Sequence, residues 1–116
     1  MKEIKFRAWD KKLKFMYPDA FDHPDYVFED MMVMEEQFVL MQCTGQKGQN
    51  KKEMYRDDII SFYDNNSLQV IIWYDEWCGF ACKSIKDGFI SNMPANPEQF
   101  IIHGNIHENP ELMEQR

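Results

Sequence analysis

Apolar residues recur at period two along much of the chain, the signature of strands with one buried face. In "EIKFRAWD" (residues 3–10), Ile4, Phe6 and Ala8 fall on one side, and Glu3, Lys5, Arg7 and Trp9 on the other. Asp10-Lys11-Lys12 reads as a turn and "LKFMY" as a second strand, so the pair predicts a hairpin. "PDAFDHPDY" holds two prolines and three aspartates, which predicts a loop. In "VFEDMMVMEE" the methionines suit a helix, but Val27, Phe28 and Val33 favour a strand, and a strand is expected there. "QFVLMQCTG" is a strand-length apolar run closed by Thr44-Gly45, and "QKGQNKKEMYRDD" is a polar connection or short hairpin loop.

From residue 57 the strands are short and their turns tight. "DIISFYD" alternates and stops at Asp64-Asn65-Asn66. "SLQVIIWYD" is the strongest strand signal in the chain, followed by a turn at Asp75-Glu76. "WCGFACKSI", a turn at Lys86-Asp87-Gly88, the short strand "FISNM" and the loop "MPANPEQ" come next. "QFIIHGNI" is the last strand. Asn109-Pro110-Glu111 then matches a helix start, with Asn as N-cap and Pro at the first position, so a docked helical turn ends the chain. The pattern predicts a mainly β protein. Residues 1–54 form an N-terminal β segment, packed on an SH3-like β-barrel with a short C-terminal helical turn over 55–116.

Composition narrows the class. The 116 residues suit one compact domain or two small lobes, and nine Phe, five Tyr and three Trp supply a core without staples. There is no run of about eighteen apolar residues, so no membrane span is expected, and the charged start "MKEIKFRAWD" is not expected to act as a secretory signal. Cys43, Cys78 and Cys82 form an odd set without a C-x-x-C pair, which fits a reducing cytoplasm. The net charge of −7 is uneven. Residues 1–14 hold six cations (Lys2, Lys5, Arg7, Lys11, Lys12, Lys14) against Glu3 and Asp10, whereas 15–36 hold seven carboxylates and no Lys or Arg. Such an acidic chain is a poor phosphate binder by default, although the basic arm at 2–14 offers local contacts.

Three stretches taken in order resemble the YopX family of small phage and prophage proteins. The first is the opening strand into Arg7-Ala8-Trp9-Asp10. The second runs through Gln42, Thr44 and Gly45 to Lys52, Glu53, Tyr55, Asp58 and Ile59. The third runs from Gly104 to Leu112, where the family has Gly-Asn-Ile-x-Glu-Asn-Pro-Glu-Leu. The resemblance implies a mainly β fold and a phage or prophage origin, and it brings no catalytic residues. Two positions depart from the pattern. Asp57 stands where the family has Gly before Asp-Ile, and Asn50-Lys51 stands where it has Asn-Gly. If those glycines take positive φ, Asp57 and Lys51 are strained there.

The reactive side chains read as framework. His103 and His107 bracket Gly104-Asn105-Ile106, which argues against a helix. On a strand they stand about 13 Å apart, too far to share an ion, so Gly104-Asn105 is expected as a bend or bulge. Cys78 and Cys82 have an acidic, apolar neighbourhood and suit a core better than nucleophilic chemistry. Asp57-Asp58 and Asp75-Glu76 flank turns. Asp58 is expected to hold the turn into its strand through a side-chain hydrogen bond. No catalytic residue, metal or cofactor is assigned.

The candidate binding residues are Trp77, Tyr74 and Phe80, aromatics near an acidic turn suited to a basic or Pro-rich peptide. The expected function is that of a non-enzymatic accessory protein in the bacterial cytoplasm. It would bind an unidentified host or phage protein, with self-association through a sheet edge or the Met-rich 27–41 segment as a further route. The alternative is a nucleic-acid-associated β module using the basic arm.

Overall fold

The computed structural model describes residues 4–62 and 67–114. The predicted turn at Asn65-Asn66 and the predicted Lys2 contribution to the basic arm lie outside these residues. The chain divides into two compact units, Met1–Cys43 and Thr44–Arg116. The division falls inside a strand, where the sequence reading places a boundary between 54 and 55.

The fold is mainly β, with two antiparallel sheets. In the first unit, β1 (Phe6–Asp10) pairs with β2 (Phe15–Tyr17) and with β3 (Phe38–Lys47), Ala8 lying opposite both Tyr17 and Leu40. The β1–β2 hairpin is as expected. Its turn is organised by Asp10, only 1% exposed, whose Oδ1 accepts from the Lys12 and Leu13 N–H groups and whose Oδ2 accepts from Gln37 Nε2. Buried Ala8, Ala20, Met31 and Phe38 form the core of this unit.

The segment expected as a strand at 27–36 is instead helical, α1 (Phe28–Val33). Phe28, Met31 and Met34 all pack on the first core and are spaced by three, a helical interval. A strand would have put Met31 on the same face as Val27, Glu29 and Val33. Glu29 and Asp30 in the first turn also complement the helix dipole. Six residues are too few for propensity to decide the matter, so core packing does.

The second unit carries β4 (Glu53–Tyr55), β5 (Asp58–Phe62), β6 (Gln69–Tyr74), β7 (Gly79–Ser84), β8 (Ile90–Asn92) and β9 (Phe100–Asn105). The first sheet has the order β2-β1-β3-β4 and the second β8-β7-β6-β5-β9. In the span where an SH3-like barrel is expected, the five antiparallel strands curl into a half-barrel. Met54, Ile60, Ile71 and Cys82 are its buried centre, with Phe80, Met93, Phe100 and Ile102 packed around them. A short 3-10 turn, Pro110–Glu114, follows β9.

Both positions that depart from the family pattern have the left-handed backbone that glycine would favour. Asn50 and Lys51, between β3 and β4, have φ of 61° and 60°, and Asp57, between β4 and β5, has φ of 75°. Consecutive positive φ values are what a tight hairpin of the Asn-Gly kind requires. Lys51 accepts that conformation at a cost of about 1–2 kcal/mol. The turn lies close to β9: a Cβ on Gly48 would meet the Phe100 carbonyl oxygen at 2.9 Å.

Candidate functional site

The loop joining β6 to β7 presents the aromatic side chains that the sequence singles out. Val70, Ile71, Ile72, Trp73 and Tyr74 are β-branched or aromatic, which favours an extended strand. The register runs unbroken from Gln69 opposite Ser84 to Tyr74 opposite Gly79. Asp75–Trp77 form one 3-10 turn, and Cys78, at φ 49° and ψ 45°, reverses the chain while its N–H donates to the Asp75 carbonyl (3.0 Å).

Strand alternation splits the aromatics into two pairs. Trp73 lies opposite Phe80, and their rings meet edge to face at 5.3 Å. Phe80 packs on the second core, while Trp73 remains 46% exposed. Tyr74 meets Trp77 edge to face at 4.9 Å, with Trp77 49% exposed. Of the three candidates, Tyr74 and Trp77 are thus together, and Phe80 belongs with Trp73 on the core side. Asp75 and Glu76 are exposed beside them. Burial against neighbouring atoms, and then the hydrogen-bonded Glu76 carboxylate, raise the Tyr74 phenol above its ordinary pKa. The tip offers two half-exposed indoles and two carboxylates, chemistry that holds a cation or a proline ring.

The histidines go to separate partners. β9 bulges where Ile59 faces Gly104 and Ile60 faces Ile102, leaving His103 as the extra residue. His103 Nε2 shares a 2.7 Å hydrogen bond with Ser61 Oγ. A serine beside an imidazole is the first requirement for nucleophilic catalysis, but Ser61 is 0% exposed and presents no surface to a substrate. The sequence held no signal for this pair, because its residues are 42 positions apart. His107 Nε2 lies 2.9 Å from Asp57 Oδ2, each side chain about 15% exposed (16% and 15%). Among the described residues, no group of three or more His, Cys, Asp or Glu is placed to hold a metal ion.

The polar residues of the end motif bond to one another. Asn105, 4% exposed, accepts at Oδ1 from the His107 and Glu108 N–H groups and donates from Nδ2 to Glu108 Oε1 (2.8 Å). Asn109, expected as the cap of a following helix, turns its side chain back and accepts from the Asn105 N–H (3.2 Å). Asp58 behaves as expected: its Oδ2 accepts from the Tyr55 N–H at 2.8 Å. Cys82 is buried, which pushes its thiol from 9.0 up to about 11, and Cys78 is an exposed free thiol.

A family model described as "YopX protein" matches residues 5–114. No curated protein matches the chain. Among solved structures, protein EF1440 from Enterococcus faecalis superposes with a TM-score of 0.65 at 23% identity, over 97% of this chain and 99% of that one, a likeness of fold.

Proposed function

The chain belongs to the YopX family, and on that premise we propose that it is a phage or prophage accessory protein that binds another protein and catalyses no reaction. The observation that carries this is the hairpin tip, where Trp73 and Trp77 keep 46% and 49% of their surface in water. Covering such indoles stabilises a complex by about 25 cal/mol per Å² of apolar surface removed from water, and a partner supplies that cover. Asp75 and Glu76 beside them favour a basic or proline-containing segment, in the cytoplasm of the bacterial host and without a cofactor.

The basic arm suits nucleic acid less well. Lys11 Nζ donates to the Glu35 carbonyl oxygen (2.9 Å), and Glu35 and Glu36 are exposed beside it. Carboxylates next to the lysines weaken any phosphate contact there.

Affinity capture from host lysate with wild type and with Trp77→Ala tests the reading, alongside a DNA gel shift at low and high salt. The expected result is a partner retained by wild type, released by Trp77→Ala, and no DNA retardation. A salt-sensitive DNA shift without a captured protein would replace this reading with the nucleic-acid one.

A further inference from the structure

A second surface lies wholly within the first unit and uses none of the residues of the hairpin tip. The short 3-10 turn Ala20–Asp22 is started by Asp19, whose Oδ1 accepts from the Phe21 N–H at 3.0 Å. With about three residues per turn, such a helix has three sides. Ala20 is buried and takes the inner one, which leaves the outer two to Phe21 and to Asp22, with Asp19 eclipsed on Asp22. Phe21 then stacks on Phe28, the first residue of α1, with ring centroids 4.4 Å apart and planes inclined by 22°. Phe6 of β1 closes the group, 5.1 Å from Phe28 and 6.2 Å from Phe21. Phe6 and Phe28 pack on the first core, whereas Phe21 keeps 57% of its surface in water.

Helical spacing extends this surface along α1. Phe28 and Met32 are four apart, and Glu29 and Met32 three apart, so the three side chains are neighbours on the helix. Met32 is 54% exposed, and Glu29 is exposed beside it. Each stacked ring therefore has a carboxylate next to it on its own element, Asp22 with Phe21 and Glu29 with Phe28. Among the described residues, neither carboxylate takes part in an ion pair. Arg7 and Lys11 are engaged elsewhere. Arg7 stands on the face of β1 opposite to Phe6, where its Nε donates to Met41 Sδ (3.5 Å). Lys11 is bonded to the Glu35 carbonyl oxygen, past the C-terminal end of α1.

An exposed aromatic face bordered by such carboxylates favours a cation that is also flat. A guanidinium stacks on a ring and bonds a carboxylate at the same time, whereas an ammonium is a strongly hydrated point charge. Phosphate is repelled by the same carboxylates. We propose that the Phe21–Phe28 stack docks an arginine-bearing peptide segment of a partner protein. Its guanidinium lies over the open face of Phe21 and bonds to Asp22 or Glu29, and its neighbouring residues cover Met32. The face is small against the roughly 800 Å² per partner of a standard interface. The contact is therefore weak alone and adds to any second contact made by the same partner.

The test is an amide NMR titration of the full chain with three synthetic pentapeptides, Arg-Ala-Arg-Ala-Arg and its Lys and Gln counterparts. The arginine peptide should shift the Phe21, Phe28 and Glu29 signals with a dissociation constant below about 1 mM. The lysine peptide should bind at least about threefold more weakly, and the glutamine peptide should give no shift. Phe21→Leu keeps the bulk, removes the ring and should cancel the preference for arginine over lysine. Combining Asp22→Lys with Glu29→Lys should weaken the arginine peptide at least about tenfold. Trp77→Ala should leave these shifts unchanged, so this face and the hairpin tip stand or fall separately. No shift within residues 19–32 up to about 5 mM peptide would overturn the proposal. So would shifts confined to 73–77, or an arginine peptide that binds no more tightly than the other two. Movement of the same signals on concentrating the protein alone would assign the face to a second copy and overturn it as well. The wild-type comparison of the three peptides decides the matter even if a variant fails to fold.

Discussion

Two turns at the same end of the curled sheet spend their special residues in opposite ways. At the β6–β7 tip, Trp73, Trp77, Asp75 and Glu76 all reach water. At the turn after β9, the side chains of Asn105, His107 and Asn109 bond back into the protein. The turn is rich in residues that attract a chemical interpretation, and almost every one of them satisfies a neighbouring backbone or side-chain group. The tip is made of residues that usually fill cores and leaves them half-covered. Polar clustering in sequence therefore marks framework here, and exposed aromatic surface marks the place for a partner.

This contrast is open to direct attack. The largest loss of stability should follow Gly104→Ala, because a methyl there collides with the Asn109 side chain, at φ 155°, and expels the carboxamide that accepts from the Asn105 N–H. We expect about 2–4 kcal/mol in urea unfolding, and a change below about 0.5 kcal/mol would mean the turn is not framework.

Next is alkaline pH, which probes the stem below the tip. Burial raises the Cys82 thiol from 9.0 to about 11, so the folded state binds that proton more tightly than the unfolded chain. Its contribution is complete below pH 9 and is lost between about 9 and 11, a fall of about 3 kcal/mol. Unfolding followed across this range in wild type and Cys82→Ala should show the alkaline slope reduced in the variant.

A double-mutant cycle on Asp57→Ala and His107→Ala should give a coupling of about 1–2 kcal/mol, the range for a partly buried hydrogen bond to a charged group. Zero coupling would make their 2.9 Å contact incidental. Lys51→Gly should stabilise by about 1 kcal/mol through relief of a left-handed lysine, seen as a higher melting temperature.

The smallest change in stability should come from Trp77→Ala, below about 0.5 kcal/mol, with partner affinity falling more than about tenfold. If it unfolds the protein instead, the tip is core and the contrast with the C-terminal turn disappears.

Most strands, the hairpin turns at 10–12 and 86–88, the hydrogen bond accepted by Asp58 and the aromatic character of the Tyr74–Trp77 loop were determined by the sequence alone. Their causes are local: side-chain alternation, turn chemistry and β-branching act within a few residues. The positive φ of Asp57 and Lys51 was legible because each stands where the resembled pattern has glycine. Tertiary structure decided the rest. Methionine and valine propensities nearly cancel in α1, and the first core settled it by taking Phe28, Met31 and Met34. Strand pairing brought His103 to Ser61 and His107 to Asp57 across 42 and 50 residues, and no local pattern encodes such distances. Pairing across the β6–β7 hairpin likewise separated Phe80 from Tyr74 and Trp77, because sequence lists the aromatics while register chooses the face each one occupies.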